Sequence, residues 1–147
     1  MSIWKQEIDV ELFKTISRQT MVAHLGIEFV EAGADFLRLK MPVDERVKQP
    51  FGIMHGGASC VLAETTASIA GQFCVDPLSH HCVGIEINTS HVKAVKSGWV
   101  TATAKPLHLG KTTQLWEIPI HNEQGQLVSM TRFRLAVLDI GAFTKAI

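Results

Sequence analysis

One long helical segment followed by four strand-like segments constrains the fold of this chain more than any other feature. Residues 57–73 form the strongest predicted helix, because apolar side chains recur there in one broad stripe at helical spacing. Strands rich in Val, Ile and Thr are predicted next, over residues 81–94, 99–108, 113–120 and 127–138. Short turn-forming gaps separate them and favour antiparallel neighbours. The chain is therefore predicted to be an α+β domain, in which an antiparallel sheet wraps the helix or packs on it.

The segments before the long helix complete the predicted sheet. Residues 9–19 have helical spacing, and residues 26–42 form a strand-like stretch that is broken near residues 32–35. Residues 43–51 are polar and are predicted to be an irregular loop. No repeat, linker or low-complexity tract divides the sequence, so residues 1–147 are predicted to form a single domain.

Charge and cysteine content exclude several function classes. The chain has 14 basic and 14 acidic residues without a basic stripe, which argues against a nucleic-acid partner. Its three cysteines form no CxxC pair, which is typical of a reducing compartment. The N-terminus lacks the apolar stretch of a signal peptide, and the long helix carries a glutamate, which opposes insertion into a membrane. We expect a soluble, cytoplasmic protein without a membrane partner.

Glu64 is an unexpected charge on the predicted central helix. Small residues flank it, Ser68 follows one turn later on the same face, and no Lys or Arg lies in the helix to pair with the carboxylate. Burying such a carboxylate is costly unless it has a partner or a function. The structural alternative is that Glu64 reaches solvent at a helix edge, or meets Arg132 or Arg134 from a strand.

The segment that leads into this helix favours a functional reading. Residues 49–57 read Gln-Pro-Phe-Gly-Ile-Met-His-Gly-Gly, so that two glycines open the helix. Free backbone N–H groups at a helix start, reinforced by the helix dipole, form a natural site for an oxyanion. An amide from Gln49, an imidazole from His55 and a carboxylate two turns further on would suit acyl transfer.

These residues also carry a resemblance to a known family. Residues 49–58, 62–64, 83–88, 91–93 and 105–110 together resemble the hotdog-fold acyl-CoA thioesterases, of the 4-hydroxybenzoyl-CoA type with a helix glutamate. Within that family the resemblance is strongest to the thioesterases of menaquinone synthesis, with the proofreading thioesterases of siderophore synthesis as near relatives. The resemblance covers the chain from Ile3 to about Leu138, and leaves the tail, residues 139–147, without an assigned role.

The resemblance implies a fold, an assembly and a reaction. The fold is a curved antiparallel sheet around one long helix, and subunits pair into a homodimer and then a homotetramer, with active sites at the dimer interface. The reaction is hydrolysis of an acyl-CoA thioester, with an aromatic acyl group expected. A carrier-protein thioester stays open as the alternative substrate. No cofactor is implied.

Individual roles follow by position from the same resemblance. Glu64 would attack the thioester or activate a water, Gly56 would donate its N–H to the thioester oxygen, and Gln49 would orient the carbonyl or the nucleophile. His55 would hold the loop or the carbonyl, or serve only as a helix cap, and Ser68 would position the water or merely pack. The residues expected to contact substrate or CoA are Gly84, His91, Lys93, His108, Leu109, Gly110, Lys111, Thr112 and Thr113.

Three alternatives fit the sequence less well: a hotdog hydratase, a non-catalytic binding module and a metal site. A hotdog hydratase would pair His with an acid in a different motif from His55-Gly56-Gly57, and a non-catalytic acyl-CoA binding module would not need Glu64. A metal site at His80 and His81 is not expected, because adjacent residues of a strand point to opposite faces. Cys60 and Cys74 are expected in the core.

Overall fold

A computed structural model describes residues 1–146 as four helices, a short 3-10 helix and six strands. The helices are α1 (Val10–Ser17), α2 (Met21–His24), α3 (Gly56–Phe73) and α4 (Ile140–Ala146). The strands are β1 (Glu28–Ala32), β2 (Leu37–Pro42), β3 (His80–His91), β4 (Trp99–Leu109), β5 (Thr113–Asn122) and β6 (Leu127–Asp139). The described elements confirm the predicted α+β class.

The strands within the described residues form one sheet in the order β1-β2-β4-β5-β6-β3, and every neighbouring pair is antiparallel. The prediction that β3 and β4 are neighbours is wrong. Residues 92–98 leave the sheet and pass the start of α3, where the N–H of Met54 donates to Val95 O at 2.8 Å. This crossover lets β4 pair with β2, and it sends β3 to the far edge, beside β6.

Alternating apolar side chains build the core between the sheet and α3. In β2 the side chains of Leu37, Leu39 and Met41 are fully buried, while the residues between them are only half-buried. The same alternation continues across the sheet through Val100, Ala102, Ala104, Trp116, Ile118, Ile120, Phe133 and Leu135. Helix α3 meets this layer with small buried residues and Leu62, so the helix lies close to the strands. Burial of each large apolar side chain contributes about 1.5–3 kcal/mol to the free energy of unfolding.

Several predicted boundaries change in the structure. The first helix is shorter than the predicted residues 9–19: it begins at Val10, because Asp9 caps it by accepting from the N–H of Glu11 and Leu12, and it ends at Ser17. The sequence analysis missed α2, which Thr20 caps. The predicted irregular loop at residues 43–51 contains a 3-10 helix, Glu45–Val47, that Asp44 caps.

The end of β3 and the tail that follows β6 also differ from the prediction. The predicted strand at residues 81–94 ends at His91, where the crossover begins. The tail after β6, whose role was open, forms α4, and the N–H of Ile140 donates to Ser79 O at 3.0 Å. Strand β3 has β6 on one side only, and its Ile85 and Ile87 side chains are 55% and 37% exposed. A long edge strand with exposed apolar side chains is a surface to which another strand can pair.

Candidate active site

His55 is the N-cap of α3. Its Nδ1 accepts a hydrogen bond from the N–H of Gly57 at 2.8 Å, and its carbonyl oxygen accepts from the N–H of Ala58 at 2.9 Å. The ring nitrogen thereby satisfies one of the N–H groups that a helix start leaves without a partner. The capping role considered for His55 is therefore present in the structure, and a second role in catalysis stays a prediction.

Gly56 is the first residue of α3, and the imidazole of His91 packs directly against it. A Cβ atom on residue 56 would stand 2.7 Å from His91 Nε2 and 2.9 Å from Cε1. No hydrogen bond from Gly56 N–H is found within residues 1–146. The glycine thus lets His91 approach the helix start, while its N–H stays free at the positive end of the helix dipole.

A cavity of about 290 Å³ opens at this helix start, and we call it the helix-start cavity. Its polar walls are Gln49, Gly56, Ser59, His91 and Lys93, and the crossover residues 92–95 close one side. Gln49 Oε1 accepts from the N–H of Phe51, which leaves the side-chain NH₂ of Gln49 available as a donor. Four predicted site residues therefore lie together around one cavity.

Glu64 and Ser68 lie further along α3, on a different cavity of about 580 Å³ that we call the apolar groove. The groove separates α3 from the two N-terminal helices, and its other walls are mostly apolar: Phe13, Ile16, Met21, Val22, Val61 and Ile69, with Ser17, Thr20 and Thr65. The Glu64 side chain is exposed rather than buried in the single chain, and no ion pair involves it among the described residues. Arg134, considered as its partner, instead lies 3.3 Å from Glu86.

The predicted contact Gly84 lies next to the Glu64 carboxylate. A Cβ on residue 84 would stand 3.1 Å from Glu64 Oε1. Helix α3 and strand β3 run antiparallel along this seam, so that Gly56 meets His91 at one end and Glu64 meets Gly84 near the middle.

The remaining predicted CoA contacts lie at the opposite end of the sheet. His108 and Leu109 end β4, residues 110–112 form the turn, and Thr113 begins β5. The segment just before β4 contacts the start of α3 through Val95, and the 11 residues of β4 span about 33 Å from there. The side chains of His108, Leu109, Lys111, Thr112 and Thr113 are exposed. The N–H of Gly110 donates to Thr113 O at 2.9 Å, and Gly110 and Lys111 line a third cavity of about 390 Å³ with Lys5, Cys74 and His80.

One protomer therefore does not bring the predicted residues into a single site. Glu64 follows Gly56 by eight residues, so their backbones lie about 12 Å apart along the helix axis. Groups that act on one carbonyl must all approach it to within about 3–3.5 Å. The helix-start cavity, the apolar groove and the hairpin turn are three separate places in one chain.

Sequence reasoning missed two contributors to these cavities. The N-terminal helices line the groove beside Glu64, and the helical spacing of Phe13 and Ile16 was the signal available in the sequence. Ser59 lines the helix-start cavity and is 1% exposed, and its hydroxyl has no hydrogen-bond partner in the described part of the chain. No sequence pattern distinguished Ser59 from the other small residues of the helix.

The cysteines are less buried than expected, and the histidine pair has other partners. Cys60 and Cys74 are only half-buried, and Cys74 lies just past the end of α3 as its C-cap. Burial raises the pKa of Cys74 to about 12 and that of Cys82 to about 11, so both thiols are poor nucleophiles. His80 Nε2 lies 3.3 Å from Asp139 Oδ1, and no group of three potential metal ligands occurs among residues 1–146.

Comparison with known proteins identifies the family. The sequence model of the Thioesterase superfamily matches residues 51–129, more than half of the chain, including the helix start, Glu64 and the crossover. The chain belongs to the thioesterase superfamily. The predicted family is therefore confirmed, and so is its reaction class, the hydrolysis of thioesters.

Similar proteins extend the match over nearly the whole chain. The 1,4-dihydroxy-2-naphthoyl-CoA hydrolase of Escherichia coli is 45% identical over 92% of this chain and 99% of its own length. The proofreading thioesterase EntH of Cronobacter turicensis is 46% identical over 92% of this chain and 98% of its own. These relatives confirm that this member of the superfamily is an enzyme.

Solved structures confirm the hotdog fold. A thioesterase of Haemophilus influenzae superposes with a TM-score of 0.91 at 40% identity, covering 94% of this chain and 96% of that one. A mutant thioesterase of Pseudomonas aeruginosa gives a TM-score of 0.93 at 40% identity, covering 95% and 100%. Family membership implies a CoA-thioester substrate, and no helix among residues 1–146 is long and apolar enough to cross a membrane.

Proposed function

We propose that this thioesterase hydrolyses aromatic acyl-CoA thioesters, including 1,4-dihydroxy-2-naphthoyl-CoA, with Glu64 as the catalytic carboxylate. The observation that carries the proposal is the position of Glu64, which faces the apolar groove without a cationic partner in the described chain. A structural carboxylate would be expected to form an ion pair or to lie on a fully solvated face. A carboxylate at the edge of an apolar cavity can act on an apolar acyl substrate.

The active site is completed by a second copy of the chain. Strand β3 is a twelve-residue edge with exposed isoleucines, and a two-fold pairing of β3 with its copy would bring the His80 end of one strand beside the His91 end of the other. The helix-start cavity of one protomer then approaches the Glu64 half of the partner, as well as the hairpin turn that begins at His108. This arrangement accounts for the separation of the predicted residues within one protomer.

The chemistry follows from the groups that meet in such a site. Gly56 N–H and the Gln49 amide are the donors for the thioester oxygen, where negative charge builds up as the carbonyl carbon becomes tetrahedral. Glu64 either attacks that carbon or removes a proton from the attacking water, which Ser68 holds one turn away. When Glu64 activates the water, collapse of the tetrahedral intermediate expels the CoA thiolate and leaves the carboxylic acid. When Glu64 attacks the carbon itself, collapse expels the thiolate and leaves an acyl-glutamyl anhydride, which water then hydrolyses to the carboxylic acid and free Glu64.

The two halves of the substrate fit different surfaces. The acyl group lies in the apolar groove, whose volume of about 580 Å³ and apolar walls suit one or two aromatic rings. CoA lies along His91 and Lys93 and the turn at residues 108–113, where Lys93 and Lys111 supply positive charge for phosphates. Pairing of dimers into a homotetramer and a cytoplasmic location complete the proposal, and the three free cysteines support a reducing compartment.

A second substrate class is favoured by a specific observation. The 46% identity to a proofreading thioesterase supports the alternative that the family resemblance left open, the hydrolysis of aryl thioesters on a carrier protein. Thiol release should be measured with naphthoyl-type, benzoyl-type and medium-chain fatty acyl-CoA, and with a benzoyl-loaded aryl carrier protein. We expect the highest kcat/KM for the aryl-CoA esters. A preference for fatty acyl-CoA would contradict the proposal of an aromatic acyl group. A preference for the loaded carrier protein would show that the substrate is a carrier-protein thioester rather than a CoA thioester.

A further inference from the structure

Gly84 occupies a place on β3 where space, rather than backbone conformation, requires a glycine. Its φ angle lies outside the left-handed region, so an L-residue could adopt this backbone. A Cβ there would nevertheless stand 2.6 Å from Phe133 Cζ and 3.1 Å from Glu64 Oε1. Two side chains from different elements therefore converge on the position that the missing side chain leaves open.

A β-bulge at the same position directs β3 toward α3. The pairing with β6 skips Ile85, because Gly84 is opposite Leu135 and Glu86 is opposite Arg134. Bulges change which side chains face a given side of a sheet. Here Cys82 before the bulge and Thr89 after it both contact α3, the first through Gly71 O at 3.4 Å and the second through Cys60 Sγ at 3.5 Å.

Those two residues could not face the same way without the bulge. They are seven residues apart, and in an uninterrupted strand an odd separation places two side chains on opposite faces. The bulge therefore keeps both halves of β3 packed against α3. It also places the backbone of Gly84 beside the Glu64 carboxylate. This is the point in β3 where the alternation of side chains between the two faces of the sheet is shifted by one residue.

We infer that Gly84 is a positioning residue for Glu64, and not the substrate contact that its place in the family motif suggests. The space that a side chain on residue 84 would fill is bordered by the ring of Phe133 and by the carboxylate of Glu64, which can thereby approach the strand backbone. Phe133 is 1% exposed, so its ring has little room to move, whereas Glu64 is exposed. A methyl group on residue 84 would press hardest on the ring, at 2.6 Å, and would also push the free carboxylate, at 3.1 Å, by a few tenths of an ångström. The inference rests on the proposed function, in which Glu64 carries out the chemistry.

Displacement of the carboxylate predicts a specific kinetic signature. Substrate binding uses the groove and the helix-start cavity, which a methyl group at Gly84 does not enter, so KM should change little. The orientation of the reacting carboxylate governs kcat, and a misplacement of about 1 Å can cost on the order of 100-fold. The 3.1 Å contact demands a smaller shift, so we expect Gly84→Ala to lower kcat by about 10-fold, with KM within about twofold of the wild type.

The test compares Gly84→Ala, Phe133→Leu and the double variant, with kcat, KM and Tm measured for each on one aryl-CoA ester. The leucine removes the Cζ clash but leaves the carboxylate contact, so the double variant should lose less Tm than the sum of the single losses. Its kcat should stay at the level of Gly84→Ala. Recovery of kcat together with Tm would show that Gly84 serves packing alone, and would overturn the inference. If Gly84→Ala does not fold, the double variant against Phe133→Leu gives the same comparison.

Two controls separate the possible failures. A Cβ on residue 71 would collide with Leu135 Cδ1 and stand 2.6 Å from Gln114 Oε1 on the same helix-sheet interface. Gly71→Ala should therefore lower Tm without lowering kcat per folded enzyme. Glu64→Gln is measured beside them. If Glu64→Gln keeps the wild-type kcat, the proposed function itself fails. If Glu64→Gln is inactive while Gly84→Ala keeps the wild-type kcat, only the role of Gly84 fails.

Discussion

The imidazole of His91 packs on the backbone of Gly56, 2.7 Å from the place where a side chain on that residue would begin. Two residues that are 35 positions apart in the sequence therefore build one wall of the helix-start cavity. The contact couples the proposed oxyanion donor to a proposed CoA contact, and the coupling can be measured.

Gly56→Ala should act through His91. The new methyl group displaces the ring but leaves the N–H in place, so we expect a higher KM for acyl-CoA and a smaller change in kcat. His91→Ala should give a similar increase in KM, and the double variant should be no worse than either single one, because both disturb one contact. Additive losses in kcat/KM would show that the two residues act independently.

His55 should have separable roles in stability and in catalysis. His55→Ala removes the acceptor for the N–H of Gly57 and should lower the free energy of unfolding by about 1 kcal/mol. His55→Asn keeps a capping acceptor and should keep the stability in denaturant unfolding. Both variants should lose thiol-release activity, because the ring is gone. Wild-type activity in His55→Asn would show that His55 only caps the helix and has no catalytic role.

The shared active site predicts complementation between two inactive variants. Chains with Glu64→Gln and chains with Gln49→Ala are co-expressed with different tags, and the mixed dimer is purified. Each mixed dimer would contain one intact site and one doubly altered site, so about half of the wild-type activity should return in a two-fold dimer. No recovery in a folded mixed dimer would mean that each site belongs to one chain.

The apolar groove should determine the size of the acyl group. Met21→Trp narrows the groove, and kcat/KM should fall more for a bicyclic than for a monocyclic aryl-CoA, by about 10-fold or more. Leu12→Trp is the matched control, because Leu12 is exposed on the neighbouring helix α1 and does not line the groove. An equal effect of both substitutions would show that the groove does not determine which acyl groups are accepted.

The buried thiols predict a loss of stability at alkaline pH. Folding raises the pKa of Cys74 from 9.0 to about 12 and that of Cys82 from 9.0 to about 11, mainly by burial. Between these values the unfolded chain loses protons that the folded chain keeps, so the free energy of unfolding falls as the pH rises above about 9. Tm at pH 8 and pH 10.5 measures this decrease. Cys74→Ala with Cys82→Ala should flatten it, and an unchanged slope would assign the decrease to other groups.

Much of the fold could be predicted from the sequence because its signals are local. The alternation of β2, β4, β5 and β6 reports which face of each strand is buried. The apolar spacing of residues 57–73 predicted the helix α3 but not its buried face, because Val61, Ile69 and Phe73 are only half-buried while small residues such as Ala63 and Ala67 are fully buried. The place of β3 could not be predicted in this way. A turn signal precedes β4 whether the chain makes a hairpin or a crossover, and the pairing of β4 with β2 decides between them.

The candidate site was predicted as a set of residues but not as an arrangement in space. The motif at residues 49–57 and Glu64 stand out by residue type, since glycines at a helix start and an unpaired carboxylate are unusual in a core helix. Their separation in one protomer and the groove wall from α1 and α2 depend on tertiary packing. Ser59 could not be recognised, because its burial is visible only in three dimensions.

Thiol release from benzoyl-CoA by the wild type and by Glu64→Gln, at equal concentrations, tests most directly whether the Glu64 carboxylate is catalytic. Gln keeps the size of the side chain and removes its charge, and unfolding curves of both proteins verify that the fold is intact. We expect turnover by the wild type, and a loss of at least about 100-fold in kcat for the variant. Equal turnover by both folded proteins would contradict a catalytic role for the Glu64 carboxylate.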